Sequence, residues 1–296
     1  MGTSQSSNGP GSGVPLVPPW VPDPSTPAPG TPNPAPIPPG PDGATQPQAP
    51  LPQAPQTAPS QAIPAPISSQ LSPPGRFAGA RRNLGTFSRS GNKENLYRGV
   101  GQYIKTGYGG ARTATSRFTG TSRTAGHLYS ALSVGVLGIQ PPPGGALDAA
   151  LLQGKTAQEI INAVVDATRP IDGSQDSEAS RFSINDSLAE VLTRYPDADL
   201  LNLTPDQRMY AVERFIASDV FRRFSLDMGK HIQDKAASAT VAASRLKEAK
   251  SYIKETVAQA FRESKSGRNQ LTPRQVRQIS ATALRDAFRV FEGYAE

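Results

Sequence analysis

The sequence from residue 204 to residue 229, TPDQRMYAVERFIASDVFRRFSLDMG, has the clearest helical pattern in the chain. Thr204 is a good N-cap residue, and proline is favoured at the first helical position, which Pro205 occupies. Apolar side chains then recur every three or four residues, the spacing of one face of an α-helix. They are Met209, Val212, Ile216, Val220 and Phe224. The stretch therefore predicts an amphipathic helix that ends near Gly229.

The residues that follow, about 230–264, predict a long helix with a narrow apolar seam. Its apolar and small residues repeat in alternating steps of four and three, as in a coiled coil. They are Ile232, Ala236, Ala239, Ala243, Leu246, Lys250, Ile253, Val257 and Ala260. The alanines would permit close helix approach, and the seam would close either inside one chain or between two.

The remaining helical signals lie on both sides of this region. Thr272 and Pro273 open a last helix, with Val276, Ile279, Ala283, Ala287 and Val290 facing inward. Upstream, Thr156 and Glu159 form a capping box, and Asn92 caps a helix that stops at 107–110. A further helix is expected over about 112–136, and no strand pattern of any length is present. The fold class is all-α, a helical bundle.

The first 75 residues have a different composition. They hold most of the 30 prolines of the 296-residue chain, and their charged residues are Asp23 and Asp42 alone. Such a segment buries too little apolar surface to offset the entropy of ordering it. We therefore predict a long disordered Pro-rich arm over 1–75, a basic Gly/Arg-rich linker and first helix over 76–110, and an α-helical domain over 111–296.

Positive charge is concentrated next to this arm. Residues 76–135 carry ten basic side chains against one acid, Glu94, whereas the whole chain has a net charge of +7. Such a block favours an anionic partner. The possible nucleic-acid contacts are Arg76, Arg81, Arg82, Arg89, Arg98, Lys105, Arg112, Arg117 and Arg123. The aromatic residues between them would either stack on bases or belong to the core of helices whose arginines face solvent, and their burial distinguishes the two interpretations.

Residues 1–22 of the arm, MGTSQSSNGPGSGVPLVPPWVP, combine a small polar start with a short apolar cluster. The cluster is Val14, Leu16, Val17, Trp20 and Val21. It is either a chance group in a linker or a short linear motif that docks into a partner. Gly2 implies removal of Met1, which would leave a small, unhindered amine for modification. The start also fits the M-G-x-x-x-S acylation pattern, so a membrane-associated scaffold is a further alternative.

Motifs for catalysis are missing from the sequence. The chain has no cysteine and two histidines, His127 and His231, so thiolate metal sites and cysteine catalysis are excluded. Gly107-Tyr108-Gly109-Gly110-Ala111-Arg112 has arginine where a dinucleotide fingerprint requires its third glycine, and no strand precedes it. We expect a protein that is not an enzyme by itself, has no cofactor and no metal, and is soluble and intracellular.

Two segments carry a family resemblance. Residues 1–22 and residues 103–132, YIKTGYGGARTATSRFTGTSRTAGHLYSAL, resemble the QatB family, the accessory proteins of the four-gene Qat anti-phage defence operons of bacteria. The resemblance covers the layout of the whole chain. It implies a cytoplasmic, non-enzymatic component of a defence system.

The same resemblance implies partners. Qat operons also encode an ATPase (QatA), a QueC-like enzyme (QatC) and a TatD-like nuclease (QatD). QueC-like proteins of related systems attach a 7-deazaguanine group to the N-terminal glycine of a partner protein. Gly2 matches that acceptor position, with Thr3 and Ser4 as its neighbours, and a bacterial origin disfavours acylation and a membrane anchor. The residues predicted to bind the partner are Thr3 and Ser4, as neighbours of Gly2, and Val14, Leu16, Val17 and Trp20, from their apolarity. The alternative function is a nucleic-acid-binding adaptor that uses the basic 76–123 segment.

Overall fold

The computed structural model of the protein describes residues 75–133, 144–145, 147–265 and 271–296. These residues form helices joined by turns, and no strand occurs among them, so the all-α prediction is confirmed for this part of the chain. The predicted arm lies outside the described residues, apart from Gly75. In chain order the helices are α1 (Ala78–Ser90), α2 (Lys93–Gln102), a π-helix (Tyr103–Gly107), α3 (Ala111–Arg117), α4 (Thr119–Ala131), α5 (Ala149–Leu152), α6 (Ala157–Thr168), α7 (Gln175–Arg194), α8 (Pro205–Lys235), α9 (Ala239–Lys265) and α10 (Pro273–Gly293).

The helix starts follow the predicted caps. The Thr204 hydroxyl accepts the Gln207 N–H at 3.3 Å, and the Gln207 side chain accepts the Thr204 N–H at 2.8 Å. Equivalent capping boxes open α6 at Thr156 and α10 at Thr272. The Asn92 side chain accepts the Glu94 N–H at 2.8 Å and opens α2. Each cap satisfies backbone donors that the first helical turn leaves without partners.

Two helices organise the core. The long helix α8 packs against α1, α4, α7 and α9, and α10 packs against α2, α3, α4 and α9. Phe215 and Phe224 of α8 are fully buried, as is Phe288 of α10. The Phe288 ring meets the Phe118 ring edge-to-face, with 5.0 Å between centroids. These contacts place the N-terminal and C-terminal halves of the described chain around one hydrophobic cluster.

The boundary between α8 and α9 differs from the prediction. Helix α8 continues through Gly229 to Lys235, and α9 begins at Ala239, where the Ser238 hydroxyl accepts the Val241 N–H at 3.2 Å. Gly229 is buried inside α8, and a Cβ placed there would lie 2.9 Å from the Ser225 hydroxyl oxygen of the same helix and 4.0 Å from a methyl carbon of Leu246 on α9. This glycine therefore continues the helix and does not end it.

The predicted seam is correct from Ile253 onward, whereas Lys250, which was also assigned to it, is exposed. Ile253, Val257 and Ala260 are buried within the chain, where α9 packs on α8 and α10. In the N-terminal half, Ala239 and Ala243 are exposed, because α9 turns a different set of small residues inward. The residues buried in their place are Ala242 and Ala249.

Val290 was predicted to face inward, but its side chain is 49% exposed. The inner face of α10 follows Leu284, Phe288 and Phe291, whose larger side chains fill the core between α3, α4 and α9. The prediction at Val290 was therefore wrong by one position on the helical wheel.

The N-terminal segments also differ from expectation. Residues 78–90, predicted as basic linker, form α1, in which Leu84 and Phe87 are fully buried. The Ser88 hydroxyl donates to the Ile232 carbonyl of α8 at 2.6 Å. The glycines and arginines of this segment obscure its amphipathic pattern in the sequence. The helix predicted over 112–136 is divided into α3 and α4 at Phe118, and its last residues lie outside the described ones.

Candidate functional site

The predicted acceptor and its neighbours, Gly2, Thr3 and Ser4, lie outside the described residues. The same holds for the apolar cluster of Val14, Leu16, Val17 and Trp20. The predicted modification and docking residues therefore remain predictions from the sequence. The structure instead describes the basic segment and the surfaces of the helical body.

The basic segment is spread over five successive helices and turns. Eight of its predicted contact residues are exposed: Arg81, Arg82, Arg89, Arg98, Lys105, Arg112, Arg117 and Arg123. Arg76 is half-buried, with its guanidinium 4.5 Å from the centroid of the Phe77 ring. Arg76 and Arg117 line one cavity of about 530 Å³ beside Tyr108. Arg112 borders a different cavity, so the predicted contact residues do not all line one cavity.

The aromatic residues of this segment belong to the core. Phe87 and Phe118 are fully buried, and Tyr103 is 2% exposed. The Phe77 ring stacks on the Tyr103 ring at 5.4 Å. These rings are enclosed by protein and are not available to stack on nucleic-acid bases. This outcome agrees with the interpretation that they are core residues. If the arginines of this segment contact nucleic acid, they contact its phosphates.

The tyrosines of the π-helical turn are attached to α8 through one carboxylate. The Tyr103 hydroxyl donates to Asp227 Oδ2 at 2.7 Å, and the Tyr108 hydroxyl lies 3.3 Å from the same oxygen. Burial, followed by the neighbouring tyrosine and Asp227, raises the pKa of Tyr103 well above its ordinary value. Both tyrosines are therefore neutral near pH 7 and act as hydrogen-bond donors that hold the π-helix against α8.

An arginine-lined groove lies between α3, α4 and α10. Its cavity of about 630 Å³ is bordered by four arginines: Arg112 from α3 and Arg277, Arg285 and Arg289 from α10. Sequence reasoning identified the first of these and missed the other three. Their signal is a spacing of eight and four residues along α10, which places them in one row on the helix surface. The other residues that line this groove are uncharged.

His127 of α4 interacts electrostatically with Arg277, one of the groove arginines. Burial lowers the pKa of its imidazole, and the nearby charges of Arg123, Arg277 and Arg169 lower it further. The histidine is thus held in its neutral form near pH 7 by the positive field of arginines from three helices or their ends. It reports the electrostatic potential of this surface.

A buried carboxylate joins α4, α7 and α8. Asp219 is fully buried and accepts hydrogen bonds from the Thr121 hydroxyl at 2.6 Å and the Ser180 hydroxyl at 2.9 Å. The Arg223 guanidinium donates to it at 3.3 Å and reaches Asp176 at 2.8 Å. Both oxygens of this carboxylate therefore accept hydrogen bonds from protein donors, which link the three helices.

A second charged cluster joins α7, α8 and α9. Glu190 accepts from the Arg214 guanidinium at 2.6 Å and from the Lys254 ammonium. Burial raises the pKa of the Glu190 carboxyl, but the hydrogen bonds from Lys254 and Arg214 outweigh it and leave the pKa below its ordinary value. Sequence reasoning gave no indication of this cluster, because its members are far apart in the chain.

A groove of about 470 Å³ with a mainly apolar surface lies between α7 and α8. Phe182 and Leu226 border it, and their side chains are 58% and 55% exposed. The Ser218 hydroxyl at this groove is buried without a hydrogen-bond partner in the described structure. Exposed aromatic and aliphatic side chains of this size are more common at contact surfaces than at free ones.

Neither a membrane-spanning helix nor a metal-binding cluster is found in the part of the chain that the structure describes. None of the described helices combines the length and the apolar character needed to cross a bilayer. Over the same residues, no group of three histidine, aspartate or glutamate side chains is placed to hold a metal ion.

The fold and these surfaces define an all-α protein with an arginine-lined groove on one side and an apolar groove on another. Comparison with protein-family models gives a match over residues 109–291 to the family described as Qat anti-phage system associated protein QatB. The chain therefore belongs to the QatB family, and it has a role in the Qat anti-phage system. The matched region begins in the glycine turn before α3 and includes both grooves. No curated protein and no solved structure matches the chain.

Proposed function

We propose that the protein is a non-catalytic component of the Qat system, in which the helical body binds operon partners and the N-terminal arm presents Gly2 to the QueC-like enzyme QatC. The observation that carries this proposal is the combination of QatB family membership with the composition of residues 1–75. The partners proposed for the body are QatC and, beyond it, the ATPase QatA and the nuclease QatD.

The composition of the arm supports delivery of a terminal group over a distance. Proline favours the polyproline II conformation, which rises about 3.1 Å per residue, so 50 such residues reach at most about 150 Å. Residues 23–74 contain few large apolar side chains that would collapse them onto a core. A small glycine amine at the end of such a segment fits a deep enzyme pocket better than a residue with a side chain.

The body supports the proposal because the residues that follow the arm are packed into its core. Phe77, next to the first described residues, is 8% exposed and packs on Tyr103. Residues from Phe77 to Phe291 form one buried cluster, so we expect the body to stay folded when residues 2–22 are removed. This expectation allows the arm to be tested without loss of the fold.

The first experiment measures the intact mass of the full chain expressed alone and together with QatC. We expect a mass gain that localises to Gly2 and requires QatC. Deletion of residues 2–22 should abolish both the mass gain and protection against phage, while the helical circular dichroism signal is retained. Full protection by the truncated chain would contradict the role of the arm.

Two single substitutions separate the acceptor from the docking residues. Gly2→Ala should still bind QatC and should lose modification, whereas Trp20→Ala should weaken binding itself. Co-purification of each variant with QatC measures binding independently of the mass. Normal modification of Trp20→Ala would show that the apolar cluster is not the docking element.

The contribution of the body is tested with a third variant. In Phe182→Ser/Leu226→Ser, the exposed side chains of the apolar groove are removed, and both lie outside the buried cluster, so folding should be unaffected. If the body binds operon partners through this groove, the variant should co-purify less QatA, QatC or QatD although its arm is intact. Unchanged recovery of all three would exclude this groove as the body's contact surface.

A further inference from the structure

Three of the four arginines of the α3–α4–α10 groove have no acidic partner among the described residues. Among the described residues, Arg112, Arg277 and Arg285 lie within 4.0 Å of no carboxylate oxygen. Arg289 meets Asp286 at 3.5 Å, and both of these side chains are largely exposed. By contrast, Arg214, Arg222, Arg223 and Arg262 each pair with at least one acid. The groove arginines are thus available to an anion from outside.

The spacing of the groove arginines fits an extended anion. Arg277, Arg285 and Arg289 follow one row of α10, and twelve residues separate the first from the last. At a rise of about 1.5 Å per residue, this row is about 18 Å long. One strand of a duplex places a phosphate at about every 3.4 Å of its axis, so the row spans several consecutive phosphates. A single phosphate or carboxylate would engage only part of it.

The wall of the groove that faces α10 carries only short side chains, which leave room for a polymer to approach. It consists of the short side chains of Thr115, Ser116, Thr119 and Ser122, and Ala281 lies between the arginines on α10. No acidic residue borders the groove. A protein partner would need apolar anchors, since such residues dominate protein interfaces, and the alanine is the one apolar residue among those that line this groove. The lining therefore favours a phosphate backbone over an acidic peptide.

The aromatic residues decide between single-stranded and double-stranded nucleic acid. Proteins that bind single strands without sequence preference stack bases on exposed aromatic rings. No aromatic side chain lines the groove, and the neighbouring Phe118 and Phe288 are fully buried. A duplex keeps its bases stacked on one another and presents its phosphates outward, so it needs arginines but no stacking platform.

We propose that the groove between α3, α4 and α10 binds the phosphodiester backbone of double-stranded nucleic acid, with Arg112, Arg277, Arg285 and Arg289 as the phosphate-binding residues. Guanidinium groups suit this role because they donate two parallel hydrogen bonds to one phosphate. The contact is independent of base sequence. This site lies on the helical body and does not depend on modification of the arm.

The test compares two variants of the full chain with equal loss of charge. Arg277→Gln/Arg285→Gln/Arg289→Gln removes three groove cations, and glutamine keeps the helix propensity of α10. The matched control, Lys93→Gln/Lys235→Gln/Lys247→Gln, removes three exposed cations from α2, α8 and α9, none of which was predicted to contact nucleic acid. Circular dichroism verifies that both variants fold. Binding of a fluorescein-labelled DNA duplex of two turns, of the corresponding RNA duplex and of one single strand is followed by fluorescence anisotropy.

We expect the wild-type chain and the control variant to bind at least one duplex with a steep salt dependence. Three lost phosphate contacts should make the slope of log K against log salt shallower by about 2–3 in the groove variant. Between about 50 and 200 mM salt, the wild-type chain should therefore lose about 40-fold more affinity than the variant. Comparison of the DNA duplex with the RNA duplex shows which of the two nucleic acids supplies the phosphodiester backbone that the groove binds.

Three outcomes would overturn the proposal. The first is absence of duplex binding by the wild-type chain at the lowest salt concentration. The second is an equal change in slope for both triple variants, since binding would then follow net charge and not the groove. The third is tighter binding of the single strand, or displacement of the duplex by polyglutamate of equal charge, which would indicate a different class of ligand.

Discussion

Replacement of Asp219 by alanine should be among the most destabilising single changes in the described body. The carboxylate is fully buried and receives the Thr121 hydroxyl, the Ser180 hydroxyl and the Arg223 guanidinium. Alanine removes all three acceptor contacts at once. It leaves two buried hydroxyls without a partner and a cation whose side chain is 11% exposed.

The magnitude follows from the groups that lose their partner. A buried polar group without a hydrogen bond costs about 1–3 kcal/mol. Breaking a buried ion pair by removing one member costs about 3–5 kcal/mol, because the remaining charge stays desolvated. Arg223 keeps Asp176 as a partner at 2.8 Å, which reduces its share. We therefore expect Asp219→Ala to lower the free energy of unfolding by about 3–5 kcal/mol.

Urea unfolding followed by circular dichroism measures this change directly. Asp186→Ala is the matched control, because Asp186 pairs with Arg222 at 2.7 Å on the surface, where each side chain is about one-third exposed. Removal of a surface pair costs at most about 1 kcal/mol. A loss below about 1 kcal/mol in Asp219→Ala, equal to the control, would refute the reasoning that this carboxylate stabilises the junction of α4, α7 and α8.

Three further predictions concern packing and charge. Gly101→Ala should destabilise the fold by about 1–3 kcal/mol in urea unfolding, because its Cβ would lie 2.7 Å from a backbone nitrogen after α10. Gly120→Ala, whose nearest neighbour would be 4.0 Å away, should be neutral or stabilising, and equal losses in both would contradict the packing argument. Because the pKa of Glu190 is lowered in the folded state, its contribution to stability is complete above the ordinary glutamate pKa of about 4.3 and is lost as pH falls through the lowered value. The difference in unfolding free energy between wild type and Glu190→Gln should therefore shrink on acidification, and a constant difference would count against it. Arg277→Gln should raise the pKa of His127 towards about 6.5 in an NMR titration, since one lowering charge is removed, and an unchanged pKa would show that Arg277 does not contribute to the shift.

Local sequence signals predicted the helix starts well. Thr156, Thr204 and Thr272 open helices as expected, because a cap and its partner lie within four residues of one another. The predicted end at Gly229 failed for the opposite reason. Whether a glycine ends a helix depends on the packing around it, and Gly229 is buried in the interior of α8.

The candidate groove could likewise be predicted only in part, because its residues come from segments that are distant in the sequence. Charge counting identified the basic segment and included Arg112, but it could not combine this residue with Arg277, Arg285 and Arg289, which lie far along the chain. Residues 136–296 carry equal numbers of acidic and basic side chains, and this balance gives no indication that three of their arginines border one groove. Burial of the aromatic residues, which weighs against base stacking, could not be predicted from the sequence pattern either.

By itself, the sequence determined the all-α class, the capped helix starts and the charge-poor, proline-rich composition of the first 75 residues, because each depends on neighbours close in the chain. The tertiary structure alone decided that α1 belongs to the body, that the aromatic rings are buried, and that α3, α4 and α10 enclose a groove of arginines. These features depend on packing between segments that are distant in sequence, where a side chain acquires its environment only after the chain has folded.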